Sequence, residues 1–213
     1  TNLPFDELDY VQRASDMPNI DLDQVAYPPN DLYAGDFAAG APAATANSFQ
    51  WLRTQSPLLD SLLGDDFGNG PNAHRNLLTV LSDEMERVPA IPLFPEDVIT
   101  GKLTTIREVD IPVYVNYQSI FLNEDIALPD AELYEIAYNQ NLPENPNAPN
   151  ADISLDSILN KLKRGMDIEM HIYWYDEIMN EFIMGQAVVL AGMEKFGPNW
   201  RFIIKDDIRQ DAS

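Results

Sequence analysis

The chain reads as an α+β protein in which helices lead and antiparallel strands close. Three observations carry this. Helical spacing and helix punctuation dominate before residue 110, and composition then shifts at Val113-Tyr114-Val115-Asn116-Tyr117. Three runs rich in β-branched and aromatic residues finish the chain, at 167–175, 182–193 and 200–205. That order predicts a helical lobe, about 34–110, and a sheet lobe, about 111–213, sharing one core in a single domain that follows an N-terminal segment, 1–33.

The elements follow in order. Phe5, Leu8, Val11 and Ala14 have helical spacing, so a short helix is expected there. Beyond Met17 the acidic, proline-punctuated chain is expected to run extended, anchored by Ile20, Leu22 and Val25. Pro42 sits where a helix can start without losing a hydrogen bond, and 41–55 reads as helix. Its successive small residues, Ala43, Ala44 and Ala46, allow neighbouring backbone to approach. Phe49, Trp51 and Leu52 add bulk, so this helix is expected to be central and buried. Ser56-Pro57 ends it, 58–63 adds a turn or two, and 64–71 is expected to be a glycine-rich loop.

Asn72 is placed to cap a helix through Arg87, with Leu77, Leu78, Leu81 and Met85 on one face. Pro89, Pro92 and Pro95 form a joint, and 96–108 follows as helix, weakened by Gly101. Residues 113–117 predict a strand, 130–138 a short helix and 139–152 an Asn/Pro-rich surface loop. Ser154 caps a helix through Lys163, which Gly165 stops.

Composition narrows the function. Thirty-five acidic against 13 basic residues give a net charge of -22, which repels phosphate backbones and anionic lipid and excludes nucleic-acid binding. No apolar run reaches the roughly 20 residues of a membrane helix, so no membrane insertion is expected. Zero cysteines remove disulfides, thiolate metal sites and thiol chemistry. With only His74 and His171, a multi-histidine metal site is not expected, and no cofactor is implied.

Three segments resemble the papain-like cysteine peptidase superfamily, in particular the branch of bacteriocin-processing, double-glycine-leader peptidases. Residues Ala34-Gly35-Asp36-Phe37-Ala38-Ala39-Gly40-Ala41-Pro42-Ala43-Ala44-Thr45-Ala46-Asn47-Ser48-Phe49-Gln50-Trp51-Leu52 overlay the family pattern Q-G-D-Y-x-x-C-x-P-x-A-x-A-N-S-L-x-W-L. Gly185-Gln186-Ala187-Val188-Val189-Leu190-Ala191-Gly192 is similar to its G-H-A-V-x-L-x-G strand. Trp200-Arg201-Phe202-Ile203-Ile204-Lys205-Asp206-Asp207 is similar to the strand that ends in Asp or Asn. The resemblance covers about 34–52 and 155–210, under half of the chain. It implies a papain-like fold, with the central helix of the N-terminal lobe packed on a C-terminal antiparallel sheet.

Thiol catalysis needs a thiolate at a helix N-terminus, an imidazole to carry the proton, a group that orients the ring and an oxyanion donor. The resemblance puts Gly40 at the thiol position, Gln186 at the imidazole, Ala34 at the oxyanion donor and Asp206 at the orienting group. Only Asp206 keeps a compatible side chain, so the four positions are expected to be vestigial and none catalytic.

The candidates for a relocated catalytic pair are Ser48, His171 and His74. Ser48 lies two turns into a helix, His171 lies in a strand among aromatics, and His74 is expected to be exposed near a helix start. Asp65, Asp66 and Asn69 offer hard oxygens for calcium in the glycine-rich loop, although the spacing is not that of a calcium-binding loop with a distal Glu. Tyr173, Trp174 and Tyr175 are expected to be core.

These readings make the chain a non-catalytic pseudopeptidase of bacterial origin. It is expected outside the cell or on its surface, any export signal having been removed. It would bind a protein or peptide partner, or assemble with itself as a structural module. The alternatives are a hydrolase with relocated residues and an acidic, cation-binding surface protein.

Overall fold

A computed structural model describes residues 10–12, 39–69, 71–89, 91–113, 115–119, 134–138, 155–176, 178–179, 181–196 and 198–205. The expectations for 13–33 and 139–152, and for Ala34 and Asp206, fall outside these residues. In chain order the described elements are β1 (Tyr10–Gln12), α1 (Gly40–Gln55), α2 (Pro57–Phe67), α3 (Pro71–Glu84), α4 (Pro95–Glu108), β2 (Val115–Ser119), β3 (Tyr134–Tyr138), α5 (Leu155–Lys163), β4 (Glu169–Asp176), β5 (Glu181–Phe196) and β6 (Asn199–Lys205). Helices therefore precede most of the sheet, and the α+β class holds.

Helix α1 is the central helix that its small residues predict. Gly40, Pro42 to Trp51 and Arg53 are all buried, so it has no solvent face for most of its length. Each side meets a different neighbour. Ala46 and Phe49 join Leu59, Leu63, Leu77, Leu81, Met85 and Ile106 of the other helices in the main core. Ala44 and Trp51 pack on Ala187, Val189 and Ala191 of β5. Ala43 meets Leu78 of α3. Fully burying each large apolar side chain contributes about 1.5–3 kcal/mol.

The α3–α4 contact depends on one missing methyl. A Cβ at Gly101 would lie 2.6 Å from Met85 Cγ and 2.7 Å from the Glu84 backbone carbon. The glycine that weakens α4 as a helix is what lets it lie against α3.

The four-stranded sheet is antiparallel throughout and built around β5. Val189 pairs with Glu169 on one side and Lys205 on the other, so β4 and β6 flank β5 from opposite sides. Met193 pairs with Val11 and with Phe202, which places β1 opposite β6 and in line with β4. One face of β5 receives α1; the other receives Leu159 and Leu162 of α5, which pack on Leu190 and Met193.

Four expectations are corrected. Residues 10–12 form a strand on β5 rather than part of a helix. The open β5 ladder takes up Val11, whose branched side chain suits a pleated surface. Residues 134–138 form β3, parallel to β2, and the alternation of Tyr134, Ile136 and Tyr138 is the strand period. Helix α2 continues through Gly64, Asp65 and Asp66 to Phe67, because Leu59, Leu63 and Phe67 share one buried stripe. Helix α3 starts at Pro71 and ends at Glu84 rather than running from Asn72 to Arg87.

Candidate functional site

Beneath α1 the two lobes are joined by polar groups in an otherwise apolar interface. Glu169 on β4 accepts a hydrogen bond from Thr45 Oγ1 at 2.9 Å and pairs with the Lys102 ammonium of α4. One turn further along α1, the Ser48 hydroxyl donates to Asp167, just before β4. Thr45 and Ser48 are fully buried, and the Lys102 and Glu169 side chains are 16% and 10% exposed. Lys102 Nζ also lies 5.8 Å from the centroid of the Phe49 ring.

His171 belongs to the same cluster. Side chains two apart on a strand share a face, so His171 points to the side that Glu169 presents to α1. Its partner on β5 is Ala187, which packs against α1. From Asp167 to Glu169 along the strand, the α1 partner moves back from Ser48 to Thr45. Ala187, the partner of His171, clusters with Ala44 and with Ala41, the neighbour of Gly40.

Charge states follow from these surroundings. Burial pushes the Glu169 carboxyl up, but the Lys102 charge and the hydrogen bonds of Lys102 and Thr45 outweigh it and leave the group below its ordinary value. Burial lowers His171; the Glu169 charge opposes this and the Lys102 charge adds to it, so the imidazole is neutral at neutral pH.

The positions drawn from the resemblance are not all brought together. Gly40 is the first residue of α1, buried, next to Ala41 in the α1–β5 contact. Gln186 precedes Ala187, and Ala187 faces α1. The pleat therefore turns Gln186 to the opposite face, and the register pairs it with Ile172. Convergence of Gln186 with Gly40 is corrected on this ground. The histidine on the α1 side of the sheet is His171. A hollow of about 310 Å³ lined by Gln50, Arg53, Thr54 and Asp60 lies toward the other end of α1, about 20 Å along the helix from Gly40.

The calcium candidate is corrected as well. Asp65 and Asp66 lie in the last turn of α2, not in a loop. The Asn69 Oδ1 oxygen accepts from Arg53 Nη2 at 2.6 Å, so a cation is already bound there, one carried by the protein. Arg53 also bonds Asp60 at 2.9 Å and the Gly68 carbonyl at 3.1 Å, tying the α2–α3 connection to the end of α1. Among the described residues, no three His, Cys, Asp or Glu side chains are grouped to hold a metal ion. His74, expected to be exposed, is half-buried, and burial together with the Arg53 charge lowers its pKa.

The Lys102–Glu169 pair is not evident from either segment alone. Two signals for the cluster were present. Asp167, Glu169 and His171 alternate polar groups with Ile168, Met170 and Ile172, and Thr45 and Ser48 are three apart on one helix face. No helix among the described residues is long and apolar enough to cross a membrane. Comparison with protein-family models, curated proteins and solved structures finds no match to this chain.

Proposed function

We propose that this chain is a non-catalytic protein-contact module, built on a papain-like arrangement of one buried helix against an antiparallel sheet. One observation carries the reading. Thr45, Ser48, Lys102, Asp167 and Glu169 beneath α1 are largely buried and bonded to one another, which supports a role in holding the lobes together rather than facing a substrate. The start of α1 adds only Gly40, Ala41 and Pro42. Such a site supplies adhesion between lobes and leaves the outer surface for partners. A net charge of -22 suits the extracellular setting expected of it.

The second reading, a hydrolase with relocated residues, draws on Ser48, Lys102, Glu169 and His171 lying together. It requires the interface to open, because Ser48 is 0% exposed. The two readings separate on fluorescein-labelled denatured casein. The contact-module reading expects no soluble fragments above a protein-free control. Fragment release that Ser48→Ala abolishes while the fold is kept, as judged by near-ultraviolet circular dichroism, would overturn it.

A further inference from the structure

The two ends of the long strand β5 carry opposite surfaces. At its start, the β4–β5 turn holds Ile178 at 96% exposure and Met179 at 55%. These side chains are presented by a fixed backbone. The Asp176 carboxylate accepts from the Ile178 amide at 2.7 Å and from the Met179 amide at 2.9 Å. In sequence, the segment 176–181 that contains this apolar pair also carries the acidic residues Asp176, Glu177 and Glu181.

The other end is apolar and basic. Phe202 and Ile204 on β6 remain exposed on the face that carries α5. Basic residues on this side are Lys161 and Lys163 of α5, Arg164 just after it and Lys195 of β5, whereas Arg201 and Lys205 alternate with Phe202 and Ile204 and turn to the other face.

From these surfaces we infer that copies of this chain associate by seating the acidic β4–β5 tip of one on the basic β6–α5 end of the next. The tip cannot reach its own β6 patch, since Met193, the partner of Phe202, lies twelve positions along β5 from Glu181, a span of about 40 Å. The contact therefore forms only between molecules. Each copy carries a net charge of -22, so repulsion dominates at low salt. At physiological ionic strength the Debye length is about 8 Å, which screens the distant charges and leaves touching pairs in force. Asp176 fixes the turn before contact and so lowers the ordering cost of association.

The inference rests on the contact-module reading and names its partner as a second copy. Sedimentation velocity over a concentration series at physiological ionic strength tests it. The wild-type average mass is expected to rise with concentration. Ile178→Asp or Phe202→Asp is expected to weaken association at least about tenfold. A mixture of the two variants retains one intact tip and one intact β6 end, so a complex should reappear that neither forms alone. Near-ultraviolet circular dichroism checks that both surface variants keep the fold. A wild-type chain that stays monomeric overturns the inference, as does association that both variants leave unchanged or a mixture that stays monomeric. Each of these results leaves the contact-module reading standing, because that reading fails on casein cleavage and not on mass.

Discussion

Lys102 of α4 and Glu169 of β4 form an ion pair across 67 residues of sequence, with little of either side chain in water. Such a pair contributes little beyond what two apolar side chains would give, but breaking one half strands a buried charge. Lys102→Met and Glu169→Gln are each expected to lower stability by about 3–5 kcal/mol in urea unfolding. The double variant Lys102→Met with Glu169→Met is expected to recover most of that loss. Additive losses in the double variant would show that the pair is not coupled in the folded state.

The same cluster fixes a pH dependence. His171 is lowered from 6.5, so the unfolded chain takes up its proton first as pH falls. Its contribution is complete above about pH 6.5 and is lost as pH drops from there toward the depressed folded value. Glu169 is lowered from 4.5, so its contribution is complete above about pH 4.5 and is lost on further acidification through its folded value. The groups facing His171 are Glu169 and Lys102, with Asp167 two residues beyond Glu169 on the same strand side. Urea midpoints from pH 8 to about pH 2 are expected to fall in two stages. His171→Gln should remove the upper stage and keep the lower one.

Gly101→Ala isolates the α3–α4 contact. Helix propensity alone favours alanine by about 1 kcal/mol. The added methyl meets Met85 Cγ at 2.6 Å and its amide nitrogen at 2.7 Å, and backbone cannot move aside as a flexible side-chain tip can. Overpacking of this kind costs about 1–3 kcal/mol, so a net loss is expected in thermal unfolding. A gain in stability would mean that α3 and α4 lie further apart than the structure places them.

Arg53 gives a prediction about ions. Its guanidinium already occupies the Asn69 oxygen and holds Asp60 and the Gly68 carbonyl. Excess calcium is therefore expected to leave the melting temperature unchanged. Arg53→Lys should lower stability by about 1–3 kcal/mol, because an ammonium cannot span three acceptors held in a fork. A calcium-dependent rise in melting temperature would return Asp65, Asp66 and Asn69 to consideration.

The sequence was most informative where one segment determines its own state. The run Ala43, Ala44, Ala46, Phe49, Trp51 specifies a helix buried on several sides, and α1 is such a helix. The unbroken apolar run from Ala187 to Ala191 fits a strand with two covered faces, and β5 is such a strand. Where the outcome depended on a distant partner, local spacing misled. Val11 joins the sheet because β5 has an open flank, and that flank is encoded almost two hundred residues away. The site divides in the same way. Gly40 and the helix start were readable, but the direction of Gln186 depends on the pleat phase of β5, which only packing on α1 fixes.

Pleat phase leads to a test of which side chain faces the start of α1. A cysteine at Gly40 would stand at a helix N-terminus, where the partial positive charge favours a thiolate. The pH profile of alkylation of Gly40→Cys is expected to report a depressed pKa. Adding Gln186→His should leave that profile unchanged, since the side chain at 186 points to the opposite face of the sheet. Adding His171→Gln should shift it, because His171 pairs with Ala187, which packs in the same cluster as Ala41 on the α1 side, and a neutral imidazole there accepts the thiol proton. A profile that moves with Gln186→His and ignores His171→Gln would put β5 in the opposite phase and Gln186 beside Gly40.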